Sequence, residues 1–355
     1  MADITLSQFL GKHTTTLEEV YRERIKPTSF LRSKFPSKVS PTKLVSIMVQ
    51  RGFEKVAVDV MRGTEGNRNK WSKSTEKIFE PLYFRENFDL TQLQLYGQLF
   101  LPRLAANAPG LLALLNSIAD NQMEQQEKIE RAIEIMCSQV LMTGVIQMSS
   151  QGTGIEVDFR RKAASFPDAG AGNYFANNVN IFDQAQSDAT FLRTVGKVTG
   201  NEFDWILGED AMSDLMANTV FLGRANLFHM YLDGVVPPRF NETTGAVNHG
   251  WITAGPYKVN LITYPQYYDD IVTDVSTGYI DPKKAVMVPA NTNPGFTFFG
   301  AVPQVIAPNA MPIVGEFVAS DWVSQEKRAH LYEVESCPIV VPVKVDQMVT
   351  RKCVA

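Results

Sequence analysis

An α+β fold built around one dominant helix is predicted by three features of this 355-residue sequence. A long helical pattern between Asn107 and Gly144 is punctuated at both ends. Period-two alternation precedes it, at Val45, Ile47 and Val49 and again at Val56, Val58 and Val60. A strand-rich region follows over residues 251–306, and a last β-prone run, Ala329 to Val349, closes the sequence.

Taken in order, residues 1–43 combine a possible helix near Leu17–Ile25 with Pro27, Pro36 and Pro41, which exclude a long regular element and suggest an extended arm. The strand pattern from Leu44 runs into MRGTEGNRNKWSKS, a turn-rich stretch carrying Arg62, Glu65, Arg68, Lys70, Trp71 and Lys73. A second extended run, Ile78 to Phe88, completes a two-stranded excursion with a charged tip. Such a hairpin is marginal in water by itself, so it is predicted to rest on a neighbouring subunit, and those six tip residues are the candidate intersubunit contact.

The long helix has Asn107 as candidate N-cap, Pro109 in its first turn and Gly144 as its stop. Ile129, Ile133, Met136 and Val140 form its apolar stripe, and Glu124, Glu127, Lys128, Glu130, Arg131 and Glu134 its polar face, with a break possible near Ser117–Asp120. GTGIEVDFRR reads as a short strand, Pro167–Asn180 as loop, and residues 184–235 as two or three helices around a strand at Phe203–Leu207. Pro338 and Pro342 in the final run favour a sheet edge.

Composition excludes several classes. With 45% hydrophobic and 20% charged residues, the chain has a globular balance. No segment has the apolar length of a membrane span, and the start shows no secretory pattern, so neither membrane insertion nor secretion is expected. Cys137, Cys337 and Cys353 are dispersed and read as inert packing thiols in a reducing compartment. Residues 1–80 carry 15 Lys/Arg against 9 Asp/Glu, leaving 19 against 29 beyond them. That asymmetry suits either ordinary variation or a basic arm laid across acidic surface on another copy.

Catalytic signatures are weak. Gly152 and Gly170 each begin Gly-x-Gly without completing a dinucleotide fingerprint, and the chain has no phosphate-binding loop motif. His13, His229, His249 and His330 lie far apart without ligand spacing, so no metal or cofactor is expected. Glu209, Asp210, Asp214, Asp269 and Asp270 offer an acid/base pair or a cation site, or simply helix-start charge and solvated loop. Trp71 between Lys70 and Lys73 fits nucleic acid or a protein contact equally well.

The order of elements, together with FLRSKF at Phe30–Phe35, VAVDVMRG at Val56–Gly63, RAIEIMCSQVLMTGVI at Arg131–Ile146, VDFRR at Val157–Arg161 and the stretch from GPYKV onward, resembles the Hong Kong 97-type phage capsid fold. More specifically, it resembles the lambda-type major capsid protein E family of tailed phages. The resemblance implies an N-terminal arm at 1–43, an E-loop at 44–90, and a P-domain at 91–183 with its spine helix at about 107–144. It further implies an A-domain at 184–315 and returning P-domain strands at 316–355. It implies a non-enzymatic virion subunit, assembled in the host cytoplasm into hexamers and pentamers around double-stranded DNA. Scaffold, portal, maturation protease and decoration proteins are the implied partners. Some relatives cross-link an E-loop Lys to an Asn of the next subunit, a role for which Lys70 or Lys73 is available. An encapsulin-like compartment around a protein cargo, and a cytosolic enzyme using Glu209, Asp210 and Asp269, are the rival readings.

Overall fold

The computed structural model describes residues 26–42, 44–50, 74–91, 109–149, 154–170, 172–224, 239–241, 244–270, 275–303, 312–324 and 329–355. One-turn helix α1 (Phe30–Ser33) leads to β1 (Ser37–Val39), then to β2 (Val45–Gln50), β3 (Ser74–Phe79) and β4 (Phe84–Thr91). The long helix α2 (Pro109–Met142) is followed by the hairpin β5 (Val145–Ser149) and β6 (Gly154–Asp158). Next come α3 (Ile181–Thr194), β7 (Glu202–Leu207), α4 (Glu209–Ala217) and α5 (Thr219–Arg224). The strands β8 (Arg239–Phe240), β9 (Val247–Ala254), β10 (Tyr257–Thr263), β11 (Tyr267–Asp269), β12 (Ser276–Gly278), β13 (Lys284–Pro289) and β14 (Phe296–Phe299) come before the last group. That group is β15 (Val318–Ser324), β16 (Ala329–Ser336), β17 (Pro338–Val341) and β18 (Val349–Lys352).

A mixed six-stranded sheet, ordered β18-β13-β7-β10-β9-β8, separates two cores. Strand side chains alternate between faces. Phe203, Trp205 and Leu207 of β7, with Ala285 and Met287 of β13, therefore meet α3 and α4 in one core. Ile206 of β7, with Val286 and Val288 of β13, faces the other core, which contains α2. β7 is covered on both sides, which explains why it reads as a nearly continuous apolar run.

Helix α2 is unbroken over 34 residues, about 51 Å at 1.5 Å per residue, so the sequence break near Ser117–Asp120 does not occur. Its stripe packs as the spacing predicts: Ile129, Ile133, Met136 and Val140 are all buried. The stop also holds. Gly144 has φ +75°, and a Cβ there would lie 2.3 Å from the Arg161 side chain. Arg161 lies along this helix end, donating from Nη1 to the Leu141 carbonyl at 2.7 Å and from Nη2 to that of Met348 at 2.9 Å. A cation at a helix C-terminus is favourable, although burial pushes this guanidinium down to about 10.

Two expectations are corrected. The run Ile78–Phe88 is not one strand: it divides at Glu80–Tyr83, where Pro81 offers no N–H to a ladder. Only β3 pairs back onto β2, from Val45↔Phe79 to Gln50↔Ser74, whereas β4 turns into the main body to pair with β16. The second correction is that the polar face of α2 is not all surface: Glu127 and Glu134 on it are buried. The Asn107 cap and the Val56–Val60 run lie outside the described residues. β17 lies at the edge of the β1-β14-β17 sheet, as Pro338 and Pro342 suggested.

Candidate intersubunit surface

The six predicted contact residues, Arg62, Glu65, Arg68, Lys70, Trp71 and Lys73, lie outside the described residues. What the structure shows is how the two segments that lead outward are rooted.

The first root is the base of the arm. The carboxylate of Glu134, on α2, accepts from the backbone N–H groups of Leu31 at 2.7 Å and Arg32 at 2.9 Å, and from the Tyr264 hydroxyl at 2.9 Å. Ser29, which precedes α1, makes no side-chain cap. Glu134 therefore satisfies first-turn donors that are normally capped locally, from a position a hundred residues away. Arg32 reaches Glu316 at 2.9 Å, Lys34 pairs with Asp204 of β7, and the Thr297 hydroxyl donates to the Phe35 carbonyl at 3.1 Å. β1 then runs parallel to β14. The segment Leu31–Val39 is thus fastened to α2, to the six-stranded sheet and to β14.

Burial pushes Glu134 up to about 7, outweighing the three donors that favour its charge. Its ordinary value is 4.5, so between 4.5 and about 7 the folded chain binds more protons than the unfolded one. The favourable contribution is complete below 4.5 and is lost as pH rises through about 7. Thermal melts from pH 5 to 8 should show wild type losing roughly 3 kcal/mol relative to Glu134→Gln across this window. Parallel pH profiles would contradict the assignment.

The second root carries the hairpin. Val45 is buried in the α2 core, the Leu82 N–H donates to the Pro338 carbonyl at 3.2 Å, and β4 pairs with β16 over its whole length. Buried Glu333 and Glu335 of β16 are bridged by Arg85, whose Nε lies 2.6 Å and 3.4 Å from them. Tyr83 donates to Glu335, while Arg85 also lies over the Trp322 ring at 5.3 Å. Its bond to Glu333 is the main reason the Arg85 pKa is raised. The β4-β16-β15 sheet is therefore a polar-laced platform from which the β2-β3 ladder departs.

The other candidate chemistry is dispersed. Glu209 and Asp210 are exposed in the first turn of α4, where negative charge complements the helix dipole, and the Tyr267 hydroxyl donates to Glu209 at 2.6 Å. Asp214 is partly buried on the same helix, and Asp269 is exposed on β11. His249 bonds the Thr263 hydroxyl at 2.8 Å, and burial lowers its pKa. His330 meets Asp321 at 2.8 Å, while His13 and His229 lie outside the described residues. Among the described residues no three His, Cys, Asp or Glu side chains are placed to hold a metal ion, and no helix is long and apolar enough to cross a membrane. All three cysteines are buried free thiols, pushed to higher pKa by burial; Cys337 reaches about 11.

A long helix packed on sheets, an anchored arm base and a rooted two-stranded ladder make up the architecture of a phage-capsid fold. Solved structures share it. The putative capsid protein of an Escherichia coli CFT073 prophage matches with a TM-score of 0.62 at 14% identity, covering 99% of this chain and 98% of that one. The mature capsid of bacteriophage PhiM1 matches at 0.52 and 8% identity, covering 95% and 90%. The capsid of a native GTA particle matches at 0.51 and 11% identity, covering 95% and 94%. The chain belongs to the phage major capsid protein E family, whose model matches residues 13–352. It is a structural component of a phage virion shell. No curated protein matches by sequence.

Proposed function

We propose that this chain tiles an icosahedral shell of hexamers and pentamers around double-stranded DNA, with residues 1–43 as N-arm and 44–90 as E-loop; the part of the arm ahead of the anchored segment Leu31–Val39, and the part of the E-loop beyond the β2-β3 ladder, lap over neighbouring copies. In this reading residues 91–183 and 316–355 form the P-domain and residues 184–315 the A-domain. The subunit is not an enzyme and needs no cofactor. It assembles in the host cytoplasm with scaffold, portal, maturation protease and decoration proteins as partners.

One observation supports this reading most. Among the described residues β2 and β3 form a two-stranded sheet of their own, rooted at Val45 and leading to the charged tip. Two strands without a third layer are marginal in water, and a neighbouring subunit supplies that layer. Interfaces repeated around a closed shell let modest contacts per subunit sum to a durable assembly.

Deleting Arg62–Lys73 tests the contact. The variant should remain folded by circular dichroism and size exclusion, because the deletion lies beyond the rooted ladder, yet fail to sediment as closed shells. Shells as durable as wild type would remove the tip from the interface.

A further inference from the structure

The six-stranded sheet carries opposite charge at the two ends of β7, a strand of six residues that spans roughly 20 Å. Beyond its C-terminal end stands the hairpin β11-β12, a two-stranded sheet of its own among the described residues. Tyr267 on this hairpin is 54% exposed, and Val275, just ahead of β12, is 57% exposed. Acidic groups flank these apolar side chains. Tyr267 donates to Glu209 at 2.6 Å, Asp210 follows in the exposed first turn of α4, and exposed Asp269 shares the face of β11 with Tyr267. Three lysines reach this end of the sheet, and each is engaged: Lys283 donates to the Ala355 carbonyl at 2.7 Å, Lys284 pairs with Asp281 at 2.9 Å, and Lys352 lies over the Tyr174 ring at 5.5 Å.

The N-terminal end of β7 is basic. The Gln347 side chain donates to the Gly196 carbonyl at 2.8 Å, and a Cβ at Gly196 would lie 2.7 Å from the Asp346 carbonyl, so the turn after α3 is pressed onto the segment Val345–Gln347. The Lys344 N–H donates to the Pro294 carbonyl at 2.9 Å, and the Ala290 N–H to that of Glu202 at 3.1 Å, which keeps Lys344 beside the start of the strand. Exposed Lys162, Lys197 and Lys344 therefore surround one partly buried carboxylate, Asp346, which pairs with Lys162 at 3.0 Å. Glu202, also at this end, is matched by Lys258 at 2.7 Å and leaves the excess of positive charge unchanged. Lys197 has φ 55°, a left-handed position usually held by Gly or Asn, and a strained residue kept at a surface points to use of its side chain.

We propose that the β11-β12 hairpin and the start of α4 of one copy dock against the Lys162, Lys197 and Lys344 surface of the next copy. Tyr267 and Val275 supply the apolar centre of this contact, and the opposite charges around them steer the approach and fix its register. Because the two patches lie at opposite ends of the same strand, the contact is head to tail, the kind that closes into a ring. The inference rests on the shell reading and names the residues by which copies within one capsomer recognise each other.

Charge reversal in the full chain tests it. Glu209→Lys with Asp210→Lys, or Lys197→Glu with Lys344→Glu, should each lower the sedimenting assembled fraction about tenfold or more at low salt, since like charges then meet. Joining all four changes in one chain restores complementarity with its sign exchanged, and assembly should return to within about threefold of wild type. That recovery separates repulsion from misfolding of the single-end variants. Assembly unaffected by either reversal, or a four-change chain no better than the single-end chains, overturns the contact while leaving the shell reading in place. Independently, wild-type assembly should weaken between about 50 and about 500 mM salt, and Glu209→Gln with Asp210→Asn should remove most of that dependence. Equal salt slopes contradict the contact. Wild-type chains that form neither rings nor shells would refute the shell reading, and the contact with it.

Discussion

Replacing Ile133 with Asp eliminates the native state. Ile133 is fully buried in the middle of the α2 stripe, between Ile129 and Met136, in the larger of the two cores. Arg32, which meets this helix at Glu130, is already committed to Glu130 and Glu316. A carboxylate at position 133 must be buried without an organised partner or be protonated to avoid it. Either route costs on the order of 4–5 kcal/mol or more, a large share of the stability of most domains. Ile133→Val, which removes one methylene, should cost only about 0.5–1.5 kcal/mol. Soluble yield and thermal melts read the contrast. A cooperative melt from Ile133→Asp close to wild type would show that α2 does not carry the core.

Asp188→Ala produces the second large loss. The carboxylate on α3 meets Arg351 of β18 through two bonds, Nε–Oδ2 at 2.8 Å and Nη2–Oδ1 at 2.5 Å, with both side chains buried. Burial opposes the charge on Arg351, but the Asp188 carboxylate more than offsets it, leaving the guanidinium above its usual pKa. Removing Asp188 strands that cation and should cost about 3–5 kcal/mol, whereas Asp188→Leu combined with Arg351→Met should recover most of it. Chemical denaturation of the three chains makes the comparison. A single variant no worse than the double would mean that the pair does not bind α3 to the sheet.

The sequence was most legible where structure is local. The stripe of α2, its stop at Gly144 and the strand at Phe203–Leu207 follow from periodicity and punctuation, and packing confirms each. It was least legible where a partner is remote. Glu134 looked like one more charge on a polar helix face because its donors, Leu31, Arg32 and Tyr264, lie more than a hundred residues away. α1 lies within FLRSKF and lacks a local side-chain cap, but nothing in that stretch names the acceptor. The division at Pro81 had a local signal that the reading of Ile78–Phe88 as one run passed over, whereas the choice of β16 as partner for β4 is a register set by distant strands. The acidic residues Glu209, Asp210 and Asp269 show the opposite error. They suggest chemistry in sequence, yet the first two occupy a helix start, where their charge is useful without any substrate.

The most direct test of shell formation is negative-stain electron microscopy of the sedimented particle fraction after expressing the full chain, alone and with a scaffold protein supplied. Closed shells, tubes or capsomer rings are the predicted result. A uniform small oligomer under both conditions, or shells filled with a host protein, would contradict the account.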